Sequence, residues 1–174
     1  MAKWIVDNMH SEVQFKVKHL VISTVTGTFN KFSAELEAEK EDFTDAKISF
    51  SADIDSIDTN NAQRDAHLKS DDFFNAEKFP QMTFKSSSLE KSNGKYTLKG
   101  DLTIRDITKP VVLDVELGGV ATDPYGQIKA GFEAVGKINR KEFGLMWSAV
   151  TEAGGVVVSD EVKILLNIQF VKQN

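Results

Sequence analysis

Apolar and polar residues alternate with a period of two along most of the chain. Ser11, Val13, Phe15, Val17 and His19 fall on one face, and Glu12, Gln14, Lys16 and Lys18 on the other. The same pattern returns at Phe32, Ala34, Leu36 and Ala38, and at Ile48, Phe50, Ala52 and Ile54. It continues through Tyr96, Leu98, Gly100, Leu102 and Ile104, then Val111, Leu113, Val115 and Leu117. Ile128 to Ile138 and Val162 to Phe170 complete it. Such alternation predicts antiparallel strands with one face in water. Runs of about 9–11 residues would span roughly 30 Å. Long one-sided strands favour a closed barrel, which removes exposed edges; a two-sheet sandwich is the alternative.

Turn signals separate the runs at Ser92-Asn93-Gly94, Lys109-Pro110, Asp123-Pro124-Tyr125-Gly126 and Gly154-Gly155. Two stretches break the period. Thr59-Asn60-Asn61 offers helix-capping side chains before AQRDAHLKS, which predicts a short helical insertion around residues 60–75. Ser70 is placed to cap a second short turn from Asp71 to Asn75, ended before Pro80. Asn139 to Trp147 reads as a long loop or a helical turn.

The chain has 174 residues with 41% hydrophobic content, enough for one domain spanning 1–174 with a real core. A net charge of −5, with lysines scattered, argues against a nucleic-acid groove. No cysteine is present, which excludes disulfide scaffolds, thiolate metal sites and cysteine nucleophiles. No run approaches the ~20 apolar residues of a membrane helix. The opening MAKWIVDNMHS has no apolar leader core, so a cytoplasmic location is expected, or a periplasmic one if a leader was removed.

The inward faces mix small residues (Ala34, Ala38, Ala52, Gly100, Ala130, Ala134, Gly136) with Phe15, Phe32, Phe50, Phe84 and Phe132. Two readings stay open: a filled, tapering core, or an elongated cavity with aromatic walls that would take an apolar ligand. His10, His19 and His67 match no compact metal motif, so no metal is expected. His10 reads as a hydrogen-bonded structural residue. His19 is either a satisfied core histidine or a polar contact for a ligand head group. Arg64 and Asp65 read as residues that fix the helical insertion, and Asp71 and Asp72 as groups favouring a helix N-terminus. Arg140, before Phe143-Gly144, is placed to close a barrel end by stacking or by bonding backbone carbonyls, or to meet a pyrophosphate or quinone head group.

Four short elements together resemble the YceI family of bacterial lipocalin-like proteins, which has polyisoprenoid-binding members. Asp7, His10-Ser11, Phe15, Val17, His19, Gly27, Phe29 and Phe32 are similar to its opening pattern. Ile54, Ser56-Ile57, Thr59, Arg64-Asp65, His67-Leu68, Ser70, Asp72-Phe73-Phe74, Pro80 and Phe84 form the sharpest match. Gly100-Asp101-Leu102-Thr103-Ile104 with Thr108-Lys109-Pro110-Val111 resembles its third element, with Asp106 where glycine is frequent. Arg140, Phe143 and Gly144 resemble the fourth, with Glu142 in place of aspartate.

The resemblance implies an extended, eight-stranded, antiparallel lipocalin-like barrel with a helical element and a long tunnel for an isoprenoid or fatty-acyl chain. The expected function is to bind, sequester or carry a long apolar lipid, such as an isoprenoid quinone or polyprenyl phosphate, with no cofactor. Candidate ligand contacts are Phe15, Val17, His19, Phe32, Ala34, Phe50, Ala52, Phe73, Phe74, Phe84, Leu102, Phe132, Ala134, Arg140 and Leu166, with Phe73 and Phe74 at the tunnel mouth. Transient membrane contact and a homodimer are further implied partners. The alternatives are an enzyme acting on the lipid head group through His19 or Asp65, and a filled barrel serving as a stress-response interaction module.

Overall fold

The structure, a computed structural model, describes residues 1–20, 22–148 and 158–174. Its strands are β1 (Ala2–Val6), β2 (Glu12–His19), β3 (Ser23–Phe29), β4 (Phe32–Ala38), β5 (Lys47–Asp53), β6 (Ile57–Asp58), β7 (Gln81–Ser92), β8 (Lys95–Ile104), β9 (Ile107–Thr122), β10 (Ile128–Asn139) and β11 (Val158–Lys172). The helix α1 (Ala62–Lys69) lies between β6 and β7. The ring β1-β4-β5-β7-β8-β9-β10-β11 closes through the pairing of β1 with β11, giving an eight-stranded antiparallel barrel.

Three of the eight courses are broken. β1 and β2 run one after the other along β11, Ile5 opposite Val171 and Phe15 opposite Ile164. β4 and β3 lie beside them, and β5 and β6 come next. The breaks sit side by side. Asn8 Nδ2 donates to the Phe32 carbonyl at 2.7 Å, Asp53 N–H to Lys31 at 2.9 Å and Asn30 N–H to Ser56 at 3.2 Å. These bonds carry the ladder across a crease where three adjacent strands bend together.

Because the strands run up and down, the connections segregate to two ends. The upper end holds the β2–β3 loop, α1 and its following turns, the Arg105-Asp106 turn and the 140–147 segment. The lower end holds the 39–46 loop and the turns at Asn93-Gly94 and Asp123–Gly126. Asn93 (φ 52) and Gly94 (φ 80) form the left-handed hairpin turn their residue types favour. Arg105 (φ 51) and Asp106 (φ 64) adopt the same geometry without glycine. Asp106 therefore occupies a position glycine would take without strain.

Lys109-Pro110 is not a turn. Pro110 lies inside β9, opposite Asp101, beyond the last β9 residue that pairs with β10, Leu113. Counting outward from the hairpin pair Ile104–Ile107, Pro110 falls at a non-hydrogen-bonded site on the β8 side. Its missing N–H thus costs no ladder bond. The predicted Gly154-Gly155 turn lies outside the described residues.

The lower end is packed shut. Phe43 sits edge-on to Trp4 at 5.4 Å and to Phe132 at 5.3 Å, and Phe132 meets Phe170 at 6.0 Å. The Tyr96 hydroxyl donates to the Asp42 carbonyl at 2.6 Å, which pins the loop carrying Phe43. Inward glycines serve close packing and leave no void of their own. A Cβ at Gly27 would come within 2.2 Å of the Phe15 ring, and one at Gly100 within 2.4 Å of the Lys85 carbonyl and the Phe84 ring.

Candidate functional site

Above the aromatic plug the barrel encloses a cavity of about 210 Å³. Phe15, Val17, Ala34, Phe50, Phe84, Leu102, Phe132, Ala134 and Leu166 wall it, with Phe73, Phe74 and Arg140 at its upper end. His19, Phe32 and Ala52 are not on its lining. His19 ends β2, two residues past Val17, paired with Val158 on one side and Ser23 on the other. Phe32 stacks on Phe50 with ring centroids 6.3 Å apart, and only Phe50 reaches the cavity. Ala52 is covered between its ladder neighbours Phe32 and Met82.

Further lining residues, such as Leu98, Leu113, Ile138 and Ile168, come from alternating faces already visible in the sequence. Leu68 and Leu145 lie outside the strands, where a period of two gives no signal. Gln14 and Arg140 are the polar residues on the lining.

The roof is the α1 segment. Asn61 caps the helix, its side chain accepting from Arg64 N–H at 3.0 Å. Asp65 accepts from the N–H and the hydroxyl of Thr59, while Arg64 donates to the Thr59 hydroxyl at 2.8 Å and its carbonyl at 2.6 Å. Both charges are thus used to anchor the helix to the chain end it leaves. Leu68, Phe73 and Phe74 point to the cavity, and Phe74 packs edge-on against Phe29 at 6.0 Å.

Asp71 and Asp72 cap no helix. Asp72 Oδ2 lies 2.8 Å from His67 Nε2, and Asp71 Oδ1 lies 3.2 Å from Arg105 Nη2. They follow α1 rather than precede it, so they pair with the side chains of His67 and Arg105 instead of a helix terminus. The His67 ring is flanked edge-on by Phe73 at 5.0 Å and Trp147 at 4.9 Å.

Arg140 is almost wholly buried, with 2% of its surface exposed. It donates to the carbonyls of Ser159 (2.9 Å), Leu145 (2.5 Å), Trp147 (2.8 Å) and Val158 (3.3 Å). Burial pulls its pKa below the usual arginine value, partly offset by Asp160 at 3.8 Å. The guanidinium knits the two chain segments at the upper rim. Its donors are spent on carbonyls, so it does not face the cavity as a free cation. Among the described residues no group of three metal-ligating side chains comes together.

An antiparallel barrel closed around an apolar cavity, plugged below and roofed by a helix, defines a lipocalin-like barrel. The YceI-like domain matches residues 4–170, and the chain belongs to the YceI family. It is 38% identical over 175 residues to a UPF0312 protein of Staphylococcus epidermidis, covering 100% of both. It is similar in structure to BcnA of Burkholderia cenocepacia, with a TM-score of 0.82, 25% identity and coverage of 94% of this chain and 98% of that one. A polyisoprenoid binding domain from Saccharophagus degradans, implicated in plant cell wall breakdown, shares the fold at a TM-score of 0.69 and 14% identity, covering 98% of each chain.

Proposed function

We propose that the barrel binds a long apolar lipid of the polyisoprenoid class, such as an isoprenoid quinone or polyprenyl phosphate, and shields it from water without altering it. The observation that carries this reading is the enclosed cavity, walled by aromatic and aliphatic side chains and offering no free charge. The polyisoprenoid binding domain that shares the fold supports the ligand class.

Two magnitudes shape the mechanism. A forty-carbon tail at ~0.8 kcal/mol per methylene gains a nominal ~30 kcal/mol over water, above the practical affinity ceiling near ~20 kcal/mol. The relevant competitor is therefore a bilayer, against which transfer is nearly balanced. The second is space. The cavity of about 210 Å³ is smaller than the ~300–1,000 Å³ of ordinary ligand pockets. Loading a long tail requires the lining rings to swing aside and the α1 roof to lift.

Gentle purification followed by native mass spectrometry and lipid extraction tests the reading. The expected result is a co-purifying isoprenoid lipid, and quenching of Trp147 fluorescence when isoprenoid is added to delipidated protein. Protein that carries no lipid and ignores added isoprenoid removes the proposal.

A further inference from the structure

The chain between β2 and β3 reads His19-Leu20-Val21-Ile22-Ser23, with no polar residue between His19 and Ser23. Hairpin loops are ordinarily built from Gly, Asn, Asp and Ser, which suit the turn and face water. Here Leu20 takes a left-handed backbone at φ 55, a costly conformation for a bulky side chain. Ile22 keeps 85% of its surface exposed. Leu20 and Ile22, exposed at this tip, add no buried contact to the fold and point to a contact outside it. Met146, 59% exposed, stands on the same rim. Arg140 gathers the carbonyls of Leu145 and Trp147 with that of Val158, and Val158 faces His19 across the ladder.

The outer wall below this tip carries a row of lysines, beyond Asp160, which is paired with Arg140 and Lys141. Lys16 faces Lys163, and Lys163 faces Lys137, so three lysines form one row across β2, β11 and β10. Like charges placed directly opposite destabilise a sheet unless an anion covers them. Glu161 lies 3.5 Å from Lys137. Among the described residues Lys16 and Lys163 have no carboxylate partner. Further from the tip, on the same wall, the sign reverses: Glu12, Asn167, Glu133 and Glu116 face one another in a row. Asp71, Asp72 and Asp106 belong to the roof side of the upper end. The charge pattern therefore turns the β2–β11–β10 wall, and not the roof, toward an anionic plane.

We infer that this tip and lysine row dock the barrel on an anionic lipid bilayer, with Leu20 and Ile22 among the headgroups and the lysines against phosphates. The inference rests on the lipid-binding reading for its purpose. Docking brings the cavity end lined by Val17, Leu145 and Val158 to the membrane that holds the lipid. Each lysine near an anionic leaflet raises partitioning roughly five-fold, and this gain is screened by salt. Membrane docking holds even for a chain with a net charge of −5, because the positive row and the negative row are separated along the wall.

Vesicle flotation tests it. The protein is expected to float with vesicles of phosphatidylcholine and phosphatidylglycerol, to stay behind with phosphatidylcholine alone, and to be released by high salt. Ile22→Asp and Lys163→Glu are each expected to lower the floated fraction by roughly tenfold or more. Thermal unfolding and uptake of a short soluble fluorescent isoprenoid should be unchanged in both variants. Flotation that survives both substitutions, or that is equal on neutral vesicles, overturns the inference. So does a self-associated protein that Ile22→Asp returns to monomer without any vesicle binding. Protein that floats but takes up no isoprenoid supports docking and fails the lipid-binding reading alone. Protein that takes up isoprenoid but does not float overturns docking alone.

Discussion

The guanidinium of Arg105 donates to the carbonyl of Phe73 at 2.8 Å, so the turn between β8 and β9 holds the roof down over the cavity. It also donates to the Asp71 carbonyl at 2.9 Å. The accompanying ion pair to Asp71 is worth little, because that carboxylate is largely exposed. The carbonyl bonds matter more, at about 1.5–3 kcal/mol for bonds to a charged group. Arg105→Ala is expected to free the roof, speeding lipid uptake and release by roughly tenfold with a small loss of global stability. Stopped-flow transfer from vesicles reads the rate, and amide exchange across residues 62–76 reads the opening. Unchanged rates and protection would show that the roof does not gate the cavity.

Arg140 is expected to matter for the fold and not for ligand charge. Its fork reaches four carbonyls on two segments, a task the single ammonium of lysine does not reproduce. Arg140→Lys should leave buried carbonyls without donors, at about 1–3 kcal/mol for each one left unpaired, seen as a lower urea midpoint. Binding of a neutral isoprenoid and of its phosphate should fall together. A variant of normal stability that loses only the phosphate would instead make Arg140 a head-group contact.

The barrel was legible because its strands alternate so regularly: Tyr96 to Ile104 and Val111 to Val115 could be assigned face by face, and those faces line the interior. The roof's position was legible from Asn61 and Pro80, which bound it by capping and by breaking the helix. What alternation does not encode is where a course bends. The breaks at Asn8, Lys31 and Asp55 exist because three strands crease together, a relation set by neighbours far apart in sequence. The same limit explains Pro110, which reads locally as a turn and is tolerated in β9 only because of its register. It also explains Phe32 and Ala52. Facing inward was readable for both, but reaching the cavity depends on Phe50 and Met82 beside them. Small residues were open to two readings, filled core or hollow. Both are realised, with Phe43 and Trp4 plugging one end and the cavity occupying the rest.

Acid should act through Asp7. Its carboxylate lies 2.8 Å from His10 Nδ1 and 2.9 Å from Lys129 Nζ. Burial pushes the group up, but hydrogen bonds and charge from Lys129 and His10 outweigh this and hold it below the usual carboxylate range. Asp123 is lowered too: backbone N–H groups of Gln127 and Tyr125, with Lys129, outweigh its desolvation. Lys129 is raised in turn, chiefly by its hydrogen bond to Asp7. A depressed carboxyl contributes stability that is present above the unfolded value near ~3.9 and is lost as pH falls through the folded one. Lys129 contributes below its unfolded value near ~10.4 and loses that contribution as pH rises through its raised folded value. Asp7→Asn is therefore expected to lower stability at neutral pH and to flatten the acid limb below about pH 4. Urea unfolding across a pH series measures both. An acid limb as steep as that of the parent protein would assign the sensitivity to other carboxylates.

Ala130 and Ala134 share one face of β10, yet only Ala134 lies on the cavity lining. Ala130 is fully covered, at 0% exposure. This difference separates the site from the core. Ala134→Phe sends a ring into free space, gaining contacts and removing volume, so stability should hold or rise by up to ~1 kcal/mol. Isoprenoid uptake should fall steeply, because the ring occupies part of the barrel cavity. Ala130→Leu forces bulk into close packing and should cost about 1–3 kcal/mol, while uptake per folded molecule stays near that of the parent. Paired thermal unfolding and fluorescence titration distinguish the two. If Ala134→Phe is as stable as the parent and still takes up isoprenoid equally well, the lipid binds outside the barrel.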